Sequence, residues 1–183
     1  MGAVVGVDPS ISSTGVFVIG EQIRFERVQS NPGDDSLSTR LERLRLMALR
    51  THAFVIDGDR VDLVVMEGPA YGSNNQMTHM LAGFWWLLAH ALEKTAPVAV
   101  VQPGTLKKFA TGDGRADKDS MLAAAIGAFP GRGIKNNDVA DAAALAAMGA
   151  AHLGREFGGV FAPSGMGSVH SVRWPELRKG AQR

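Results

Sequence analysis

Two acids in this chain stand where an apolar strand runs out, and two more are spaced three apart on a late helical stretch. Asp8 follows Val4-Val5-Gly6-Val7 and precedes Pro9; Glu67 follows Val64-Val65-Met66 and precedes Gly68-Pro69. A single acid at a strand end is ordinarily the first exposed residue and nothing more. Two of them on neighbouring strands line the crevice at the strand ends, where open sheets bind their ligands. Asp138 and Asp141 share one helix face at i and i+3. The helix dipole accounts for an acid at Asp138, with Asn136 or Asn137 as cap. Asp141 is different. It sits in Val139-Ala140-Asp141-Ala142-Ala143-Ala144-Leu145, a small-residue surface suited to close packing on a sheet. A carboxylate there is costly to bury unless it is paired or bound to a cation.

Four carboxylates without a thiolate are a hard-oxygen donor set, which suits Mg²⁺ or Mn²⁺ rather than zinc. Two such ions about 3.5–4 Å apart clamp both the attacking and the leaving oxygen of an in-line phosphoryl displacement. One lowers the pKa of a water, the other steadies a departing 3′ oxygen, and no protein nucleophile is needed. The chain has no cysteine, which excludes disulfides, thiolate zinc sites and cysteine nucleophiles. His52, His79, His90, His152 and His170 show no metal-ligand spacing.

The elements that must position these acids are legible in the apolar pattern. Val4 to Val7, Val16 to Ile19 and Ile23 to Val28 read as three strands, with turns at Gly15 and Gly20-Glu21. After the turn-rich Asn31 to Asp35, Ser36 caps a helix from Leu37 to about Ile56, in which Leu41, Leu44 and Ala48 recur on one face. Leu63 to Met66 has the continuous apolar character of a strand covered on both faces. A second long helix is expected from Asn75 to Lys94, stopped by Pro97, and then a fifth strand from Val98 to Val101. A short helix (Thr105 to Phe109), a Gly-rich loop, a helix from Asp119 to Phe129 and an Ala-rich helix from about Asn137 to His152 follow. This order predicts an α/β fold of the ribonuclease H-like kind. Its sheet is mixed and five-stranded, with the first three strands antiparallel and helices on both faces. The expected domain covers residues 1–156. From 157 to 183 periodicity vanishes, and a flexible, basic, Gly/Ser/Pro-containing tail is expected.

The 183 residues suit one domain. The longest apolar stretch, Met80 to Leu92, is 13 residues, short of the roughly 18 that a membrane span needs. With no signal-peptide pattern at the N-terminus, a cytoplasmic location is expected. The 19 basic and 18 acidic side chains leave a net charge of +1. If four acids are neutralised by metal, the remaining surface carries +5, which permits a polyanion partner without requiring one.

At this point the sequence resembles the RuvC family of Holliday-junction resolvases. Gly6-Val7-Asp8-Pro9-Ser10-Ile11-Ser12-Ser13-Thr14-Gly15 resembles the family's opening motif, and Val65-Met66-Glu67 its second. Gln102 to Lys108 followed by Thr111 to Lys118 is similar to its basic segment, and Asp138-Val139-Ala140-Asp141-Ala142 to its final acidic helix. The likeness runs in unbroken order over residues 4 to 155. It implies a crossover junction endodeoxyribonuclease that nicks four-way DNA junctions in pairs and leaves 5′-phosphate and 3′-hydroxyl ends. Asp8, Glu67, Asp138 and Asp141 are then ligands of two Mg²⁺ ions, with Mn²⁺ as a substitute. Lys107 and Lys118 hold the DNA backbone, Lys108 and Arg115 belong to the same DNA-binding segment, and the chain is a homodimer. The apolar helix around Phe84, Trp85 and Leu88, which needs cover on both sides, lies at the dimer interface of that family. Tyr71, four places after Glu67, stands in for an aromatic that opens the junction. The compact form resembles members encoded by bacteriophages.

Three other readings compete. An actin- or sugar-kinase-like phosphotransferase also uses an acid and a Gly-Thr-rich hairpin at its first strand, yet leaves Glu67 and the Asp138/Asp141 pair unexplained. An inert DNA-binding scaffold leaves the buried acids without a use. A flap or RNA–DNA hybrid nuclease shares the metal chemistry and differs in substrate alone.

Overall fold

The structure, a computed structural model, describes residues 1–34, 36–69, 76–157 and 159–178. Its elements are β1 (Ala3–Asp8), β2 (Ser13–Ile19), β3 (Ile23–Gln29), α1 (Leu37–Ile56), β4 (Val61–Glu67), α2 (Gln76–Thr95), β5 (Val98–Val101), α3 (Pro103–Thr111), α4 (Lys118–Ala128), α5 (Asn137–His152) and a closing 3₁₀ segment, Pro163–Ser171. They form one five-stranded sheet in the order β3-β2-β1-β4-β5. β1 runs antiparallel to β2, and β2 to β3, whereas β1-β4 and β4-β5 are parallel. This is the mixed sheet expected from the sequence.

The two central strands are apolar throughout because both their faces are covered. Val4, Leu63 and Val65 point into a core shared with α3, α4 and α5. Val5, Val7, Val64 and Met66 alternate onto the other face, beneath α1 and α2. β3, at the sheet edge, keeps one ring inside, with Phe25 stacked on Phe17 at 5.6 Å.

α5 comes unusually close to the sheet, and glycine is the reason. A Cβ on Gly6 would strike the carbonyl of Ala142, and one on Gly15 the carbonyl of Asp138. Ala142 to Ala150 are all buried, and the small side chains let the helix backbone lie almost on β1 and β2. Gly6→Ala should therefore lever α5 off the sheet at a cost of about 3 kcal/mol, read as a lower denaturant midpoint. An unchanged midpoint would reject this close-approach account.

Local capping matches the sequence where the cap is a side chain. Ser36 accepts from Thr39 N–H and Asn136 from Val139 N–H. Two starts differ from expectation. α3 begins at Pro103, which fits a first turn that needs no N–H, and α4 begins at Lys118 because Asp117 accepts from Ser120 N–H at 2.8 Å.

The expected loose tail is corrected. Residues 159–178 are packed against the domain: Phe161, Gly165, Ser168 and Val169 are buried, and Gly165 lies against the backbone of Lys108 and Phe109. The Trp174 ring stacks on His152 at 4.1 Å. Arg178 then donates to the carbonyls of Glu93, Lys94 and Thr95, closing the C-terminus of α2. Sparse aromatic anchors and a backbone-capping arginine hold this segment, and neither produces periodicity. Among the described residues no helix is long and apolar enough to cross a membrane.

Candidate active site

Asp8 is the last residue of β1 and Glu67 the last of β4. The parallel register pairs Val7 with Met66, so both acids leave the sheet side by side. Parity puts them on the α5 face: Val4 and Gly6 precede Asp8 at steps of two, and Leu63 and Val65 precede Glu67. Asp138 lies in the first turn of α5 and Asp141 one turn further. Because Gly15 is in register with Asp8 and touches the Asp138 backbone, that first turn is pressed down beside the two strand tips. The structure thus brings all four expected acids to one end of the sheet.

Their electrostatics are those of one crowded site. Burial first, then the charges of Glu67, Asp141 and Asp138, hold the Asp8 carboxyl well above its ordinary value, with an Asp8–Glu67 hydrogen bond adding to the effect. Burial and the Asp141 charge push Glu67 up to about 7. Burial and the Asp138 charge push Asp141 up to about 6, against the pull of Lys107 and Lys118.

Asp62 provides an internal contrast. Its side chain is 1% exposed, yet Arg155 and Arg60 each pair with it at 2.7 Å, and Gly2 N–H donates to it. Asp8, Glu67 and Asp141 have no ion-pair partner among the described residues. Half-buried carboxylates without an ion-pair partner are costly to keep charged, and this donor set offers only oxygens. Among the described residues no three acidic or imidazole groups stand at ready metal-ligating spacing. The fit to a divalent ion therefore rests on the all-oxygen donor chemistry and on three acids without an ion pair among the described residues.

Three side chains that the sequence did not single out steady the acids. Ser13 Oγ donates to Asp138 Oδ2 at 2.5 Å, and Arg27 Nε contacts the same oxygen at 2.9 Å and Ser13 Oγ at 2.6 Å. The Trp85 indole N–H donates to the Glu67 carbonyl at 2.8 Å. Beyond β1, Thr14 Oγ1 donates to the Ser10 carbonyl at 2.8 Å and closes the turn that follows Asp8. Ser13 and Thr14 are polar, so apolar patterning starts β2 at Val16; the strand begins at Ser13.

The basic residues divide. Lys107 acts on Glu67 and Asp141, and Lys118 on Asp141, so both positive charges lie within electrostatic reach of the acids. Lys108 and Arg115 are exposed and are not among the groups acting on the acids. Tyr71 lies outside the described residues. The dimer-interface expectation is corrected: Phe84, Trp85 and Leu88 are buried in the chain's own second core. Among the described residues Trp86 and Leu87 are the exposed large apolar side chains of α2, at 66% and 42%. A five-residue apolar run on a helix must send some side chains each way, and only packing tells which.

Among solved structures, the chain is similar to Thermus thermophilus RuvC in complex with a Holliday junction substrate. The identity is 21%, the TM-score 0.67, and the match covers 80% of this chain and 91% of that one. A second structure of Thermus thermophilus RuvC matches at 21% identity and TM-score 0.63, over 79% of this chain and 90% of that one. No protein-family model and no curated protein matches the sequence. The likeness, together with the strand order, makes the fold ribonuclease H-like.

Proposed function

We propose that this chain is a metal-dependent endonuclease that hydrolyses phosphodiester bonds in branched DNA, with four-way junctions as the preferred substrate. The observation that carries the reading is the set of half-buried carboxylates on two strand tips and one helix, of which Asp8, Glu67 and Asp141 have no ion-pair partner among the described residues, with the charges of Lys107 and Lys118 acting on Glu67 and Asp141. The similarity to a protein solved with a Holliday junction substrate supports the choice of DNA form.

Asp8, Glu67, Asp138 and Asp141 are the residues that would hold divalent ions. When bound, two Mg²⁺ or Mn²⁺ ions supply a water of lowered pKa and a countercharge for the departing 3′ oxygen, which leaves 5′-phosphate and 3′-hydroxyl ends. The protein's own part is positioning. Trp85 holds the backbone of Glu67, and Ser13 and Arg27 hold Asp138. Lys107 and Lys118 are point charges that fix a backbone phosphate in register without reading its base. No side chain is required to form a covalent intermediate.

The test incubates the purified protein with labelled four-way junction, fork, flap, linear duplex and RNA–DNA hybrid, with Mg²⁺ or EDTA. Mg²⁺-dependent nicking, strongest on the four-way junction, is expected. Equal cutting of flaps or hybrids would transfer the assignment to a broader nuclease, and no cutting would end it.

The same reading includes a second copy of the chain. Trp86 and Leu87 leave large apolar side chains exposed on α2, as Leu41 and Leu49 do on α1, the helix that packs against it, and a second copy would cover such side chains. Trp86→Asp should convert a dimer to a monomer in light scattering. A dimer that survives the change would remove α2 from the interface.

A further inference from the structure

Arg27 stands on the same rung of the sheet as Asp8, because Asp8 pairs with Gly15 and Gly15 with Arg27 across three antiparallel strands. Gly15 has no side chain, so the Arg27 side chain can cross toward α5, where its Nε meets Asp138 Oδ2 and Ser13 Oγ. The remainder of the guanidinium is turned outward. The side chain is 42% exposed, and among the described residues Nη1 and Nη2 make no hydrogen bond. Other arginines of the chain are used differently. Arg24 donates from both terminal nitrogens to carbonyls at the end of α1, and Arg178 does the same at the end of α2.

An exposed Arg–Asp pair by itself is worth little. Here the carboxylate oxygen is shared with a buried serine hydroxyl, and its owner is one of the four acids. Oδ2 of Asp138 accepts from both donors, which leaves Oδ1 without a hydrogen bond among the described residues. We infer that Arg27 is a bifunctional residue: with Ser13 it positions Asp138 as a metal ligand, and with its two outward nitrogens it binds a backbone phosphate of the nucleic acid. A guanidinium suits both tasks at once, since its planar fork presents several donors in fixed directions. Strand binding at Arg27 is thereby tied to the orientation of an acid. This rests on the nuclease reading above.

Arg27→Lys, Arg27→Gln and Ser13→Ala separate the two roles. Binding of a labelled four-way junction is measured in EDTA across a salt series, and Mn²⁺ binding to the DNA-free protein by calorimetry. Arg27→Gln should flatten the salt dependence by about 0.9 in the log–log slope, the loss of one phosphate contact. Arg27→Lys keeps a charge at that place and should keep the slope. It cannot hold the fork geometry, so its Mn²⁺ affinity should fall by about tenfold, the usual effect of losing a ligand's supporting partner. Ser13→Ala should likewise keep the slope and lose Mn²⁺ affinity. Thermal melts show whether each variant is folded, and Arg27→Lys with Ser13→Ala keep the test valid if Arg27→Gln is not. A wild-type slope in Arg27→Gln, or wild-type Mn²⁺ affinity in both Arg27→Lys and Ser13→Ala, would overturn the inference while leaving the nuclease reading intact. If the wild-type protein itself shows no salt-dependent DNA binding, both fall together.

Discussion

Asp8→Asn and Asp141→Asn should each lower Mg²⁺-dependent cleavage of a four-way junction by at least about 10³-fold, roughly 4 kcal/mol of transition-state stabilisation, while retaining junction binding in EDTA. Both acids are half-buried beside like-charged neighbours and lack an ion pair among the described residues. Amide substitution preserves shape and removes the charge that would hold the ions. The stability of the metal-free variants provides a second readout. If the acids were structural, as Asp62 is with its two arginines, neutralising one would destabilise the fold. Acids retained for chemistry repel one another, so Asp8→Asn should raise the melting temperature of the metal-free protein. Variants that cut normally, or that melt well below wild type, would take the acids out of the proposed site.

The second large effect is a stability that falls with rising pH. Glu67 and Asp141 have folded values of about 7 and about 6, against ordinary values of 4.5 and 3.8, and Asp8 is raised as well. Between these limits the folded chain holds protons that the unfolded chain has already lost. Stability is therefore greatest below the ordinary carboxylate values and declines as pH passes through the folded ones. The metal-free protein should lose roughly 5 °C or more in melting temperature between pH 5 and pH 8. Mg²⁺ should restore the loss at pH 8 and do little at pH 5, where protons occupy the same oxygens. Glu67→Gln should flatten the profile. That comparison separates the acids from His152, whose burial lowers its pKa and acts in the opposite direction. A wild-type melting temperature that rises across this range, or one that Glu67→Gln leaves unchanged in slope, would contradict the charge crowding.

Much of this arrangement could be read from the chain because it depends on local periodicity. The apolar runs before Asp8 and Glu67 mark two covered strands, and Asp138 and Asp141 share a helix face wherever that helix packs. What could not be read depends on register and on tertiary choice. Arg27 matters because it falls on the rung of Gly15 and Asp8, and nothing within β3 announces that pairing. Trp85 and Trp86 are adjacent and chemically alike; one is turned in to hold the Glu67 carbonyl and the other is left outside. The segment after α5 is aperiodic, so its anchoring through Trp174 and Arg178 is invisible until the surfaces it covers are known. Gly15 reads as a turn residue and Gly6 as one more position of an apolar strand in a linear scan, whereas in three dimensions both are the footprint of α5.

Anomalous diffraction from a crystal soaked in Mn²⁺ addresses the central claim most directly. The account predicts ion peaks bounded by the carboxylates of Asp8, Glu67, Asp138 and Asp141, with Ser13 and Arg27 still engaged on Asp138. Mn²⁺ found elsewhere on the molecule, with those four side chains unliganded at saturating concentration, would contradict it.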